Sequence, residues 1–131
     1  MSTLHRLAAL ALLALAGAAQ SQQQPPTQSK GIDNKPMVLL DLGPEIEGLA
    51  GRDLRMRHVT LAVGATVAIH GHKDRPAIDY ILQGTVLEYR NGTVKQYGPG
   101  EFALSDKNTT HAWENNGTVP VLILSIDIAK Q

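Results

Sequence analysis

The sequence predicts an all-β domain, and three observations carry that prediction. After Pro36 every convincing segment alternates with a period of two, and none keeps a helical period over two turns. Gly-rich turn signals recur at Asn91-Gly92, Gly98-Pro99-Gly100 and Asn116-Gly117. The apolar run Val119 to Ile128 is dense on both faces, as in a central strand covered twice. Regularly spaced short strands with such turns describe an antiparallel sandwich or barrel.

The elements follow in order. In "LRMRHVTLAV" (Leu54 to Val63), Leu54, Met56, His58, Thr60 and Ala62 share one side, with Arg55, Arg57, Val59, Leu61 and Val63 on the other. Gly64 breaks this run, and "TVAIHGH" is expected as a second strand. "KDRPA" (Lys73 to Ala77) reads as a turn, because Pro fixes the backbone and Lys and Asp are readily solvated. "AIDYIL" forms the next strand, with Tyr80 alternating away from Asp79 to pack between sheets. "TVLEYRNGTVKQY" is a strand, an Asn91-Gly92 turn and a return strand, the strongest short hairpin signal there is. "EFALS", "TTHAWEN" and "VPVLILSIDIA" complete the set.

The first 36 residues are of another kind. His5-Arg6, an apolar run from Leu7 to about Ala16 and the small residues of "AGAAQ" have the order of a secretory signal peptide. The run is too short for a membrane span of roughly 20 residues. Residues 1–19 are therefore expected to be a leader removed after Ala18 or Ala19, and the protein to be exported, periplasmic or secreted. "QSQQQPPTQSKGIDNKP" is poor in apolar residues and is expected to be a flexible linker over residues 20–36, leaving 37–131 as the folded unit. A core of that size is modest, so pairing into a homodimer would help it.

Composition removes several chemistries. With no Cys, disulfides, thiolate ligands and Cys nucleophiles are excluded. The formal charge is zero with His neutral, about −1 once Arg6 leaves with the leader, and there is no Lys/Arg block. Nothing suggests a nucleic-acid partner or, after leader removal, a membrane.

The chemistry sits in "GATVAIHGHKDRPAIDYILQG" (Gly64 to Gly84). In a strand, residues i and i+2 point the same way, so His70 and His72 face together with Ala68, while Val67, Ile69 and Gly71 face away. Two imidazoles at that spacing reach one ion through metal–nitrogen bonds of about 2 Å. His111, in "TTHAWEN", is the other strand histidine downstream of the pair. Trp113 and Asn115 share its parity.

These residues resemble the motifs of the cupins. The first cupin motif is Gly, five residues, His-x-His, three or four residues, Glu, six residues, Gly; Gly64, His70, His72 and Gly84 match it, and Ala77 stands in the Glu column. The second is Gly, five residues, Pro-x-Gly, two residues, His, three residues, Asn. Gly100, His111 and Asn115 match it, whereas Asp106 and Asn108 replace the Pro and the second Gly. The resemblance covers Val38 to Asp127. It implies a double-stranded β-helix (jelly-roll) barrel with one divalent transition metal (Fe, Mn, Ni, Cu or Zn) held by His70, His72 and His111. Cupins include dioxygenases, isomerases, storage proteins and non-catalytic binding modules, so the fold leaves the reaction open.

With Ala77 in place of Glu, three outcomes compete: a three-histidine face suffices, as in the thiol and diketone dioxygenases that look similar; Asp79 supplies a fourth ligand; or the site is empty. Without an anionic ligand the ion keeps its full positive charge, which favours small anionic ligands such as carboxylates or enolates. Arg75 at the barrel mouth is a candidate to hold a carboxylate, and Trp113, Asn115 and His58 are further pocket candidates, His58 the weakest. Asp79 could equally pair with Arg75 or Arg90, and Glu114 is expected to be a solvated charge. A metal-dependent oxygenase or enolate enzyme on a small organic acid stands against a non-catalytic module that binds a small ligand or metal.

Overall fold

The computed structural model describes residues 23–131. The expected leader, residues 1–19, lies outside them. Every regular element described is a strand: β1 (Lys30–Asp41), β2 (Arg52–Gly71), β3 (Ala77–Gln83), β4 (Val86–Arg90), β5 (Thr93–Tyr97), β6 (Phe102–Ser105), β7 (Thr110–Glu114) and β8 (Val121–Lys130). All pairs are antiparallel, in the order β5-β4-β7-β2-β8-β3-β6, with β1 on the first half of β2. The expected all-β jelly-roll barrel is the observed fold.

The two strands expected on either side of Gly64 are one strand of 20 residues, bent at a corner. Its first half pairs with β8 from Arg52↔Lys130 to Leu61↔Val121, and its second half pairs with β7 from Thr66↔Glu114 to Gly71↔Thr110. β2 thus belongs to both faces of the barrel. Gly64 takes the corner at φ +78°, a conformation Gly adopts without steric cost. Asn115 clamps it: the fully buried amide donates to the carbonyls of Leu61, Ala62 and Val119, and its Oδ1 accepts from Gly117 N–H. Gly84 is constrained differently, since a Cβ there would lie 2.7 Å from the Pro120 carbonyl oxygen. The hairpin forms as its sequence predicts, with Asn91 and Gly92 at φ +52° and +74° and Arg90 opposite Thr93.

The expected linker is corrected in part. From Lys30 onward it is strand, with Ile32 opposite Leu61 and Pro36 opposite Arg57. Just before it, the Ala68 N–H donates to Ser29 Oγ and the Ile69 N–H to the Pro26 carbonyl. Backbone and small polar groups make this attachment, so a composition poor in apolar residues gave no sign of it.

Leu61, Ile81, Val86, Tyr97, Trp113, Val121 and Ile123 fill the core between the two halves of the barrel. Further along β8 the inward positions turn polar, at Ser125 and Asp127, while Leu122, Leu124, Ile126 and Ile128 face outward. The register extends that outer face into an apolar row, Leu104–Ile78–Ile126–Met56–Val38. Tyr80 lies on this outer face at 38% exposure, beside Phe102 and Leu124, and not between sheets as expected. The alternation placed it on the correct side of β3, but that side is the outside.

Asp127 is buried beneath three guanidinium groups. Arg55 donates twice, at 2.9 and 2.7 Å, Arg57 at 3.2 Å and Arg75 at 3.0 Å. Burial alone would raise its pKa, but the bonds and charges of Arg55, Arg57 and Arg75 outweigh that and hold it below the usual carboxylate range. A depressed folded-state pKa gives stability that is present above the unfolded value and lost as pH falls. Asp127→Asn should therefore cost about 3 kcal/mol in urea unfolding at neutral pH, by leaving buried guanidinium charge uncompensated. Its stability should also fall less steeply than the wild type's below about pH 4.

Candidate metal centre

A bulge sets the histidines. Between Val67↔Trp113 and His70↔His111, β2 uses one residue more than β7. The extra residue resets the alternation, so Val67 packs on the core although simple parity placed it facing away from His70. The same register sets His70 directly across from His111. His72 follows at the end of β2, its N–H bonded to the Thr109 carbonyl at 2.9 Å.

The three rings converge, with centroids 4.7 to 5.1 Å apart. His72 Nε2 lies 3.2 Å from His70 Nε2 and 3.0 Å from His111 Nε2. Every outer nitrogen has an acceptor: His70 Nδ1 meets the Ala68 carbonyl at 2.9 Å, His72 Nδ1 the Arg75 carbonyl at 2.9 Å, and His111 Nδ1 meets Glu88 Oε1 at 2.6 Å. These acceptors place the proton of each neutral ring on Nδ1 and leave three Nε2 lone pairs aimed at one another. That arrangement is repulsive unless a proton or a cation sits between them. Nitrogens bonded at about 2.05 Å to one ion stand roughly 2.9 to 3.3 Å apart for right-angle to tetrahedral geometry, so the donor set fits a divalent transition metal. Burial, the largest cause, draws the His72 pKa down to about 4 and lowers that of His70, keeping both rings neutral.

Glu88 is the residue that sequence reasoning missed. It is 3% exposed, and its carboxylate receives His111 Nδ1–H, Arg90 Nε–H at 2.9 Å and the Tyr97 hydroxyl at 3.0 Å. Burial would raise its pKa, but the bonds from His111, Arg90 and Tyr97 and the Arg90 charge leave it lowered. It is therefore a fixed negative charge behind His111. The signal was an acid at the inward parity of β4, two residues from buried Val86, and it was masked because Leu87 and Tyr89 are buried on the other side.

A cavity of about 360 Å³ opens beside the histidines, lined by His70, His72, Arg57, Arg75, Asp79 and Trp113 among others. Arg75 and Trp113 are both among its lining residues, and Trp113 also belongs to the core. Trp113 also packs edge-on to His111, with ring centroids 5.2 Å apart. Asp79 lines the cavity too, but no carboxylate joins the described ligand atoms that lie within 4.8 Å of one another; those are His70, His72 and His111. Asp79 does not pair with Arg75 or Arg90, which are engaged by Asp127 and Glu88. Burial raises its pKa, against a hydrogen bond from Ser125.

Two pocket candidates are corrected. Asn115 serves the corner of β2, and His58 lies on the outer face opposite Leu124, because the inner positions of that stretch of β2 are Arg57 and Val59. Glu114 is half-buried and accepts the Tyr89 hydroxyl, so it is not simply solvated.

The Cupin_2 family, described as Cupin domain, matches residues 57–127, more than half of the chain. No curated protein matches. Among solved structures, the chain is similar to the cupin domain of Cnp3 from Schizosaccharomyces pombe, at 15% identity and TM-score 0.60, covering 78% of this chain and 66% of that one. It is also similar to KdgF from Halomonas sp., at 18% identity and TM-score 0.62, covering 86% of this chain and 92% of that one. A predicted oxalate decarboxylase from Thermotoga maritima is 20% identical at TM-score 0.53, covering 73% of this chain and 93% of that one. The chain thus spans just under two thirds of the S. pombe chain and most of the other two. At these identities the likeness speaks for the fold alone, and the family match completes it: the chain belongs to the cupin family.

Proposed function

We propose that this protein binds one divalent transition metal through Nε2 of His70, His72 and His111 and presents it to a small organic acid in the adjoining cavity. The observation that carries the reading is the set of three Nδ1 acceptors, which together turn three Nε2 lone pairs to one point. A divalent ion there would supply Lewis-acid stabilisation of negative charge on a carboxylate or enolate oxygen. The chain's own groups favour an anion as well. Arg55, Arg57 and Arg75 share the single carboxylate of Asp127, which leaves positive charge at the cavity wall. Arg57 Nε is buried without a partner among the described residues, and Arg75 keeps donors that Asp127 does not use. Asp79, which lines the cavity and whose pKa burial raises, would give or take a proton at a substrate carbon or oxygen.

The competing reading is a non-catalytic module that holds the same ligand, favoured by Ala77 at the position of the missing carboxylate. Oxygen uptake by iron-loaded protein with thiols, diketones and aromatic acids separates the two. Turnover supports the enzyme, and saturable binding without turnover supports the module. Export remains part of the proposal on the strength of residues 1–19, and mass spectrometry of the secreted fraction should find a chain starting at Ala19 or Gln20.

Metal analysis after reconstitution should find one equivalent in the wild type. His70→Ala and His111→Ala should lose it and Asp79→Ala should retain it; less than about a tenth of an equivalent in the wild type overturns the reading. Glu88→Gln keeps the shape but removes the charge behind His111. It should weaken Zn(II) or Co(II) affinity by roughly 10- to 100-fold in calorimetry while circular dichroism stays unchanged. Arg75→Met should raise the Kd of oxalate or malonate about tenfold or more at full metal occupancy; equal affinity would remove Arg75 from the ligand site.

A further inference from the structure

The cavity beside the histidines has two chemically different levels, and the strand registers order them. On β2 the lining side chains run Arg57, Val59, Leu61, and β8 sets Ser125 opposite Arg57 and Ile123 opposite Val59. β3 adds Asp79 to the polar level, opposite Ser125, and Ile81 to the apolar one, opposite Ile123. The other half of the barrel makes the same change, from the pair His70–His111 to the pair Val67–Trp113. Both halves thus turn from polar to apolar toward the corner at Gly64. Along β2 and β8 the change takes one inward step of about 6.6 Å. β1 walls the apolar level at its edge: Ile32 lies opposite Leu61, packs on the core that includes Trp113 and Ile123, and lines the cavity. Ile32 lies outside residues 57–127, so this wall is no part of the family match.

We infer that the cavity takes a small monocarboxylic acid with a compact apolar body. Its carboxylate lies at the level of Arg57, Arg75 and the histidines, and its body lies against Val59, Val67, Ile123 and Trp113 beside Ile32. The carboxylate end rests on the function proposed above, and the apolar end rests on the lining alone. A sugar acid or a diacid would set hydroxyls or a second charge against side chains that offer no hydrogen bond, and a buried polar group without a partner is costly. An apolar body meets no such penalty and displaces water that finds few partners at those walls. The remaining polar lining does not alter this, since Asn34 is exposed to solvent and Ser29 is engaged by the Ala68 N–H. At about 360 Å³ the cavity is at the small end of ligand pockets, which suits one ring or a short branched chain.

Titration of the zinc-loaded protein with cyclohexylacetate tests it, followed by the fluorescence of Trp113, the only Trp in the chain. Cyclohexylacetate should bind about tenfold or more tighter than acetate, which lacks the body, and than 2-cyclohexylethanol, which lacks the charge. Saturation should shift the Trp113 emission. Ile32→Asn should cut the preference over acetate to about threefold or less, with zinc content and circular dichroism unchanged. If that variant does not fold, Val59→Thr, close to Val in shape, reads the same loss. Equal affinity for the two acids, or for the acid and the alcohol, overturns the inference, as does the absence of saturable binding. Binding that leaves the Trp113 emission unchanged, or that the folded variants do not alter, also overturns it and places the acid outside the cavity. Zinc analysis of each sample keeps the metal reading separate. A zinc-free protein that still prefers cyclohexylacetate supports the apolar wall and removes the metal. One equivalent of zinc without that preference overturns the inference and leaves the metal reading intact.

Discussion

The long bent strand β2 is the constraint on which the remaining structure depends. Its first half is held by β1 and β8 and its second half by β7, so the two faces of the barrel share one continuous backbone. The corner is fixed at Gly64 by a fully buried amide, Asn115, which directly follows β7, four residues after His111. The clamp that folds the barrel therefore also fixes the distance from the corner to the metal centre on both strands. The bulge after Val67 completes the alignment by turning His70 inward opposite His111. The site is thus placed by backbone register, a rigid support for side chains that must converge within ångströms.

Two buried carboxylates divide the electrostatics of the interior. Glu88 stands behind His111 and is satisfied by Arg90 and Tyr97 on its other bonds. It fixes the ring's proton and adds negative charge on the side away from the cavity. Asp127 sits among three arginines, two of which, Arg57 and Arg75, line the cavity and leave that wall positive. Charge of one sign behind a ligand and the opposite sign in the wall favour a cation at the histidines and an anion beside it. Neither charge is exposed to screening water, so each acts at greater strength than a surface charge would.

Much of the fold was legible because alternation and turn chemistry are local. The Asn91-Gly92 hairpin, the turn at Lys73–Ala77 and the central position of β8 all follow from short windows of sequence. The spacing of His70, His72 and His111 was legible for the same reason. Parity reports which residues share a side, however, and not whether that side is inner or outer. It therefore separated Tyr80 from Asp79 correctly and still put Tyr80 in the interior. The bulge was hidden too, since an extra residue in one strand is defined only by its partner. Glu88, Asp127 and the strand character of Lys30–Pro36 depend on contacts with residues far away in the chain, and no local pattern marks them.

The central claim is that three imidazoles, each protonated on Nδ1, direct Nε2 to one ion. Long-range proton–nitrogen correlation spectra of the zinc-loaded, nitrogen-15-histidine-labelled protein measure this most directly. The account predicts that His70, His72 and His111 all show a protonated Nδ1 and a metal-shifted Nε2, with His58 unchanged. A ring bound through Nδ1, or zinc shifting fewer than those three rings, would contradict it.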